Sequence, residues 1–253
     1  MIDAHAHLDD RRFSDDLDAV LARASAAGIE RVLSCADDLA SSERTVVIAR
    51  RHPSVRVAVG VHPHRAESWN ADVLRMIDRL ARDERVVAIG EIGIDLSGRS
   101  APREAQEAAF LAQLALANVL GMPVVVHVRD AGPLVRELVD RAGGARGMVH
   151  CFSEGPDEVD EWLRRGFAVS FAGTVTYPKN DALRRAAARA SADRLLVETD
   201  APYLAPQARR GSRNEPAFVL ETLAAVAAAR AEEPDALGRQ IAENAQKLFG
   251  DRF

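Results

Sequence analysis

Short apolar runs rich in β-branched residues recur along the chain at 1–7, 31–35, 55–61, 86–92, 123–128, 147–152, 167–171 and 195–199. Runs this short and this continuously apolar predict strands covered on both faces, as in a parallel sheet. Longer stretches with helical spacing separate them. Leu17, Val20, Leu21 and Ala24 share one helical face, as do Phe110, Leu111, Leu114 and Leu120. The result is eight strand-then-helix units with no composition break, low-complexity tract or long linker between them. That rhythm predicts one closed (β/α)8 TIM barrel spanning residues 1–253, rather than an open doubly wound sheet. No glycine fingerprint of a dinucleotide or P-loop site follows any strand, which weakens the nucleotide-binding alternative. The longest predicted loop is 201–212; Asn214-Glu215-Pro216 then reads as an N-cap and first turn, and helices over 217–231 and 234–248 end the chain.

Composition narrows the setting. The 253 residues are 47% hydrophobic, enough for a large core, and carry a formal net charge of −5. An acidic chain has no overall field to hold nucleic acid by counterion release, so any phosphate binding must be local. Cys35 and Cys151 form no CxxC pair and no disulfide framework, which fits a reducing interior. With a strand predicted from residue 2 and no apolar run long enough to span a bilayer, the expectation is a cytoplasmic, monomeric protein with no membrane partner.

The chemistry lies at the ends of the predicted strands. His5 and His7 stand two residues apart on the first strand and project to one face, while Ile2, Ala4 and Ala6 face the other way. A bare His-x-His is a weak signal, but Glu91, His127, His150 and Asp200 each sit at the far end of their own predicted strand. His62 and His64 do the same, so of the seven histidines only His52 lies elsewhere. In a parallel barrel those ends share the face that carries active sites. Any single one of these histidines reads equally well as a hydrogen-bonded core residue; as a set they point to a metallohydrolase. Four imidazoles and two carboxylates are too many for one tetrahedral ion and suit two cations sharing a carboxylate. Glu91, between Gly90 and Ile92-Gly93, is the natural bridge; Asp200 can bind metal and take a proton from attacking water. Glu198 shares the parity of Asp200 and either orients a histidine or pairs with an arginine.

These segments carry a family resemblance. His5-Ala6-His7-Leu8-Asp9, Gly60-Val61-His62-Pro63-His64, Gly90-Glu91-Ile92-Gly93-Ile94-Asp95, His127-Val128-Arg129-Asp130-Ala131, His150-Cys151-Phe152-Ser153 and Glu198-Thr199-Asp200-Ala201-Pro202-Tyr203-Leu204 together resemble the TatD family of metal-dependent deoxyribonucleases. The resemblance continues through 170–176, Arg213-Asn214-Glu215-Pro216 and 244–249, so it spans essentially the whole chain. It implies a TIM-barrel hydrolase of the amidohydrolase-like superfamily with Mg2+-dependent, often 3′ to 5′ exonucleolytic, action on DNA. It also implies metal ligands at His5, His7, Glu91, His127, His150 and Asp200, with His5, His7 and Asp200 on one cation, His127 and His150 on the other, and Glu91 between them. Substrate contacts are implied at His62 and His64. By affinity order the imidazole-rich set itself favours Zn2+ or Mn2+.

Two departures bear on the substrate mouth. Leu96-Ser97-Gly98 stands where the family commonly has aromatic residues, and Glu154 intervenes before Gly155. For phosphate, the chain offers Arg129 beside His127, and Arg209, Arg210 and Arg213 in the last long loop, where barrels often bind phosphate near a helix N-terminus; such arginines also read as solvated or ion-paired. With no interleaved basic and aromatic stripe, the expected partner is single-stranded DNA or a strand end. The competing reading is hydrolysis of a small amide, lactone or acyl ester, including deacylation of an aminoacylated nucleic acid. Relatives with carbonyl chemistry often bridge their metals with a modified lysine on strand four, where this chain has Glu91 and no lysine before Lys179. A non-catalytic binding module is a third reading, set against the retention of all six ligands.

Overall fold

The computed structural model describes every residue except Arg99 and Asp251. Among these, eight strands run β1 Ile2–Ala6, β2 Arg31–Cys35, β3 Val55–Val59, β4 Val86–Asp95, β5 Val124–Arg129, β6 Gly147–Val149, β7 Phe167–Phe171 and β8 Leu195–Val197. The helices are α1 Leu17–Ala26, α2 Leu39–Arg51, α3 Ala71–Leu80, α4 Arg103–Leu120, α5 Gly132–Arg141, α6 Pro156–Arg164, α7 Asp181–Arg189, α8 Val219–Arg230 and α9 Pro234–Phe249. Each strand pairs in parallel with the next, in the order β1 to β8. All five residues of β1 and all ten of β4 are buried, as the continuous apolar runs predict for a sheet covered on both faces.

The circle closes between β8 and β1. Ala6 and Ala201 form a parallel bridge; His7 N–H donates to Ala201 O at 2.7 Å and Asp200 N–H to His5 O at 2.9 Å. Below that bridge, the buried Asp3 carboxylate takes the place of a ladder. It accepts from Thr199 N at 2.8 Å and from Thr199 Oγ1 at 2.5 Å. The barrel is thus a (β/α)8 TIM barrel whose seam is sewn partly by a side chain. None of the described helices is long and apolar enough to cross a membrane.

Strand ends depart from the sequence expectation in ways that matter for the site. β4 runs on to Asp95, whereas β6 and β8 stop at Val149 and Val197. His150 and Asp200 therefore sit on irregular backbone, with Cys151 at φ +44° and Asp200 at φ +57°. An aspartate tolerates this left-handed region at roughly 1–2 kcal/mol, and the twist turns its carboxylate inward. Two buried glutamines two turns apart on α4 brace the free ends of neighbouring strands. Gln113 accepts from Val61 N at 2.7 Å and donates to Val61 O at 3.1 Å, and Gln106 does the same for Asp95 at 2.8 and 3.0 Å. The same helix buries Phe110 and Leu114, each contributing about 1.5–3 kcal/mol, while Leu111 and Leu120 of the predicted face are only half-buried.

Asn214 is not a helix cap. It is fully buried and donates to Thr199 O at 2.8 Å and Tyr203 O at 2.7 Å. It thereby pins the long loop to the seam, and α8 begins later, at Val219 after a 3-10 turn.

Gly93 shows why the motif on β4 needs glycine. It pairs with His127 at φ +147°, and a Cβ there would lie 2.0 Å from the His127 carbonyl oxygen. Gly93→Ala combines a clash with backbone strain and is expected to cost on the order of 3 kcal/mol. A fall in the urea midpoint at unchanged slope checks this; a midpoint equal to wild type refutes it.

Candidate metal centre

Six side chains, from the ends of β1, β4 and β5 and from the segments that follow β6 and β8, converge at one end of the barrel. His5 and His7 project together from β1, their Nε2 atoms 3.2 Å apart. Glu91, 2% exposed on β4, turns one oxygen to each side. Its Oε2 lies 3.3 Å from His5 Nε2 and 3.6 Å from His7 Nε2, and its Oε1 lies 2.7 Å from His150 Nε2 and 2.9 Å from His127 Nδ1. Asp200 Oδ1 completes the first group, 3.3 Å from His7 Nε2 and 3.6 Å from His5 Nε2.

Hydrogen bonds on the far side of His7, His127 and His150 decide which nitrogen faces the centre, while His5 Nδ1 is buried without a partner. His7 Nδ1 meets the Cys35 carbonyl at 3.0 Å, and a carbonyl can only accept, so Nδ1 holds the proton and Nε2 offers a lone pair inward. His150 Nδ1 donates to Glu198 Oε1 at 3.2 Å. Glu198 is in turn fixed by the Cys151 N–H at 2.7 Å. His127 is reversed: its Nε2 faces Asp95 Oδ2 at 3.3 Å, leaving Nδ1 for the centre. His62 differs from all three. Its Nδ1 accepts from His64 N–H at 3.1 Å, so its proton stands on Nε2, 3.3 Å from Glu91 Oε1. His62 therefore presents a donor to the cavity, where the others present lone pairs.

The electrostatics ask for positive charge. Among the described residues no lysine or arginine pairs with Glu91, Asp95, Glu198 or Asp200; their partners are imidazoles. Burial opposes charge on His7, but its hydrogen bond to Asp200 and the nearby Asp37 and Glu91 outweigh it and push its pKa up to about 10. Burial likewise opposes a charged His150, yet Glu91 and Glu198 hold it well above the ordinary histidine value. Burial would raise Glu91, and the surrounding His150, His62 and His5 hold it well below the usual carboxylate range instead. Protons are thus drawn onto the nitrogens that face the carboxylates. Divalent cations satisfy the same field, and the lone-pair nitrogens and carboxylate oxygens are the donor types that hold them. His5, His7 and Asp200 offer ligand atoms mutually within 4.8 Å.

The cavity above these groups holds about 590 Å³. Besides the centre it is lined by the more exposed Asp37, His64, Arg65 and Tyr203. A groove of about 700 Å³ between α1 and α2 contains none of the converging donors.

The arginines chosen from sequence are not brought to this cavity. Arg213 is held by Asp16 at 2.7 Å and Glu215 at 2.8 Å and lies over the Phe13 ring; it ties the last loop to α1. Arg209 pairs with Glu221 at 2.8 Å, and Arg210 lies over Tyr177. Arg129 is exposed at the end of β5, outside the cavity lining, and pairs with neither Asp130 nor Glu91. Glu154 points away from the mouth as well, held by Arg136 at 2.8 Å and Trp162 Nε1 at 2.6 Å. His64 stands at the rim, its Nε2 2.9 Å from Asp95 Oδ2.

Asp95, Arg65, Asp37 and Tyr203 escaped the sequence reading. Asp95 had a usable signal, since it shares the parity of Glu91 on a strand that runs on to residue 95. Asp95→Ala removes the acceptor that fixes the His127 tautomer, and loss of such a partner typically weakens metal binding about 10- to 100-fold. Calorimetric titration with Mn2+ checks this, and unchanged affinity in a folded variant refutes it.

Comparison with known proteins agrees with this geometry. Residues 2–250 match the family model described as TatD related DNase. The 3′-5′ ssDNA/RNA exonuclease TatD of Enterobacter lignolyticus is 40% identical, the alignment covering 99% of each chain. A protein described as uncharacterized metal-dependent hydrolase YabD of Bacillus subtilis is 32% identical over 98% of each. The crystal structure of a TatD homologue from Escherichia coli superposes with a TM-score of 0.93 at 29% identity, covering 98% of this chain and 97% of that one. A family match over nearly the whole length, on a barrel whose strand ends gather these donors, means that the chain belongs to the TatD related DNase family and is a metal-dependent hydrolase.

Proposed function

We propose that this protein is an exonuclease that removes nucleotides from the 3′ end of single-stranded DNA with two divalent cations. The observation that carries this reading is the division of Glu91, whose two oxygens face two separate sets of imidazole lone pairs. His5, His7 and Asp200 would hold one cation and His127 and His150 the other, with Glu91 available to both. When bound, the cations supply Lewis acidity toward the phosphoryl oxygens and nucleophilic water at neutral pH. Mg2+ is the activating ion of this reading, while Mn2+ and Zn2+ bind the imidazoles more tightly.

The chain's own groups do the rest. Asp200 keeps Oδ1 toward the imidazoles and uses Oδ2 to accept the proton of the attacking water. His62, with its proton on Nε2, donates to a phosphoryl oxygen. His64 stands beside it at the rim as a second substrate contact. The named activity of the Enterobacter lignolyticus relative supports the nucleic-acid substrate, RNA included. Carbonyl hydrolysis is the weaker reading, because strand four presents a carboxylate and neither lysine of the chain lines the cavity.

Two outcomes test this. Dialysis against a chelator should abolish cleavage of a labelled oligonucleotide, and Mg2+ or Mn2+ should restore it at two equivalents per chain; activity that survives complete metal removal overturns the reading. Asp200→Asn keeps the size of the side chain and an oxygen donor but loses the base. Its turnover should fall about 10²- to 10⁴-fold while oligonucleotide affinity changes little. Wild-type turnover by the fully metallated variant removes Asp200 as the base.

A further inference from the structure

Arg65 is the one permanent cation that lines the metal cavity among the described residues. It follows the motif Gly60-Val61-His62-Pro63-His64 directly, on the 3-10 turn Pro63–Ser68. Its backbone is fixed at both ends, with its N–H donating to His62 O at 2.8 Å and its carbonyl accepting from Ser68 Oγ at 2.7 Å. Ala66 beside it is buried in a small apolar cluster with Ala101 and Ala109. The guanidinium stands on a rigid base, exposed, with no hydrogen bond or ion pair to a described residue. Three other arginines near this end of the barrel are committed, Arg12 to Asp10 at 2.8 Å, Arg44 to Asp9 at 2.9 Å and Arg213 to Asp16 at 2.7 Å, and Arg129 lies outside the cavity lining.

A phosphate recognition role follows from the chemistry of the cavity. An arginine without a partner on the wall of this cavity is available to an anion that reaches past the cations. The scissile phosphodiester belongs at Glu91. For a strand cut from its 3′ end, the only further phosphate near the cavity is the next one toward the 5′ side. We propose that Arg65 binds that neighbouring phosphate and so sets a preference for polynucleotide chains over isolated nucleotide esters. This deepens, and rests on, the exonuclease reading of the same site.

The test compares a thymidine dinucleotide, which has one phosphate, with the trinucleotide, which has two. Arg65→Ala should lower the trinucleotide-to-dinucleotide ratio of kcat/KM about tenfold, the size of one charge-assisted contact. The change should fall on KM. Arg65→Lys, which keeps the charge and loses the fork, should recover part of it. In the wild-type enzyme, a trinucleotide with an uncharged methylphosphonate in place of the 5′-side phosphate should lose the same factor, and Arg65→Ala should add no further loss. Independent losses from the two changes, or an unchanged ratio, overturn the contact. Wild-type cleavage of the trinucleotide tests the exonuclease reading by itself. Arg65 is judged separately by the dissociation constant of a fluorescent trinucleotide on metal-loaded wild type and Arg65→Ala, where equal values overturn the proposal whatever the turnover.

Discussion

Six carboxylates, Asp3, Asp37, Glu91, Asp95, Glu198 and Asp200, gather at one end of an otherwise apolar barrel with no lysine or arginine paired to them among the described residues. Burying that much negative charge is unfavourable unless something positive enters with it. The structure meets the demand in two ways. Asp3, the deepest, is pushed by burial up to about 8 and takes its hydrogen bonds from Thr199, so it can carry its own proton at neutral pH. The others face imidazoles, and the far nitrogens of His7, His150 and His127 are tied to Cys35 O, Glu198 and Asp95, which leaves their near nitrogens facing the centre. The tautomers of His7, His127 and His150 follow from these outer bonds.

The seam of the barrel gives this arrangement its place. β1 contributes His5 and His7, the segment after β8 contributes Asp200, and the two are neighbours only because the sheet closes. The closure is irregular, with Asp3 standing in for a ladder and Asn214 pinning the loop above it to Thr199 and Tyr203. A continuous β8 would have paired the backbone more fully but aimed Asp200 by strict alternation. Ending the strand at Val197 and placing Asp200 in the left-handed region sends its carboxylate back toward His7. The local cost of that conformation is offset by the contacts that surround it.

Much of this was legible in the chain because metal ligands in a parallel barrel must lie at strand ends, and strand ends can be counted. The eight-fold rhythm gave the barrel, and the histidines at its punctuation gave the set that the fold brings together. What could not be read depended on side chains whose partners are remote in sequence. Arg213 and Arg209 sit in a loop position suited to phosphate, yet Asp16 and Glu221 claim them first. Glu154 marks a departure that bears on the substrate mouth, yet its carboxylate is drawn to Arg136 and Trp162. His62 could be grouped with the ligands by type; only the His64 N–H on its Nδ1 distinguishes a donor from a lone pair. Pairing of this kind is a property of the folded neighbourhood, and no period in the sequence encodes it.

A net charge of −5 set against a polyanionic substrate seems contradictory until the charge is located. The carboxylates of the cavity, Asp37, Glu91 and Asp200, share it with Arg65 and, without cations, with the protons drawn onto His7 and His150. On the two-cation reading, the cations would concentrate positive charge over the few ångströms where the scissile group must lie, and affinity would be confined to the place where chemistry occurs. On the exonuclease reading, such an enzyme would hold a strand by its end. The cations that activate water would then also select the substrate, and Arg65 would register the chain behind it.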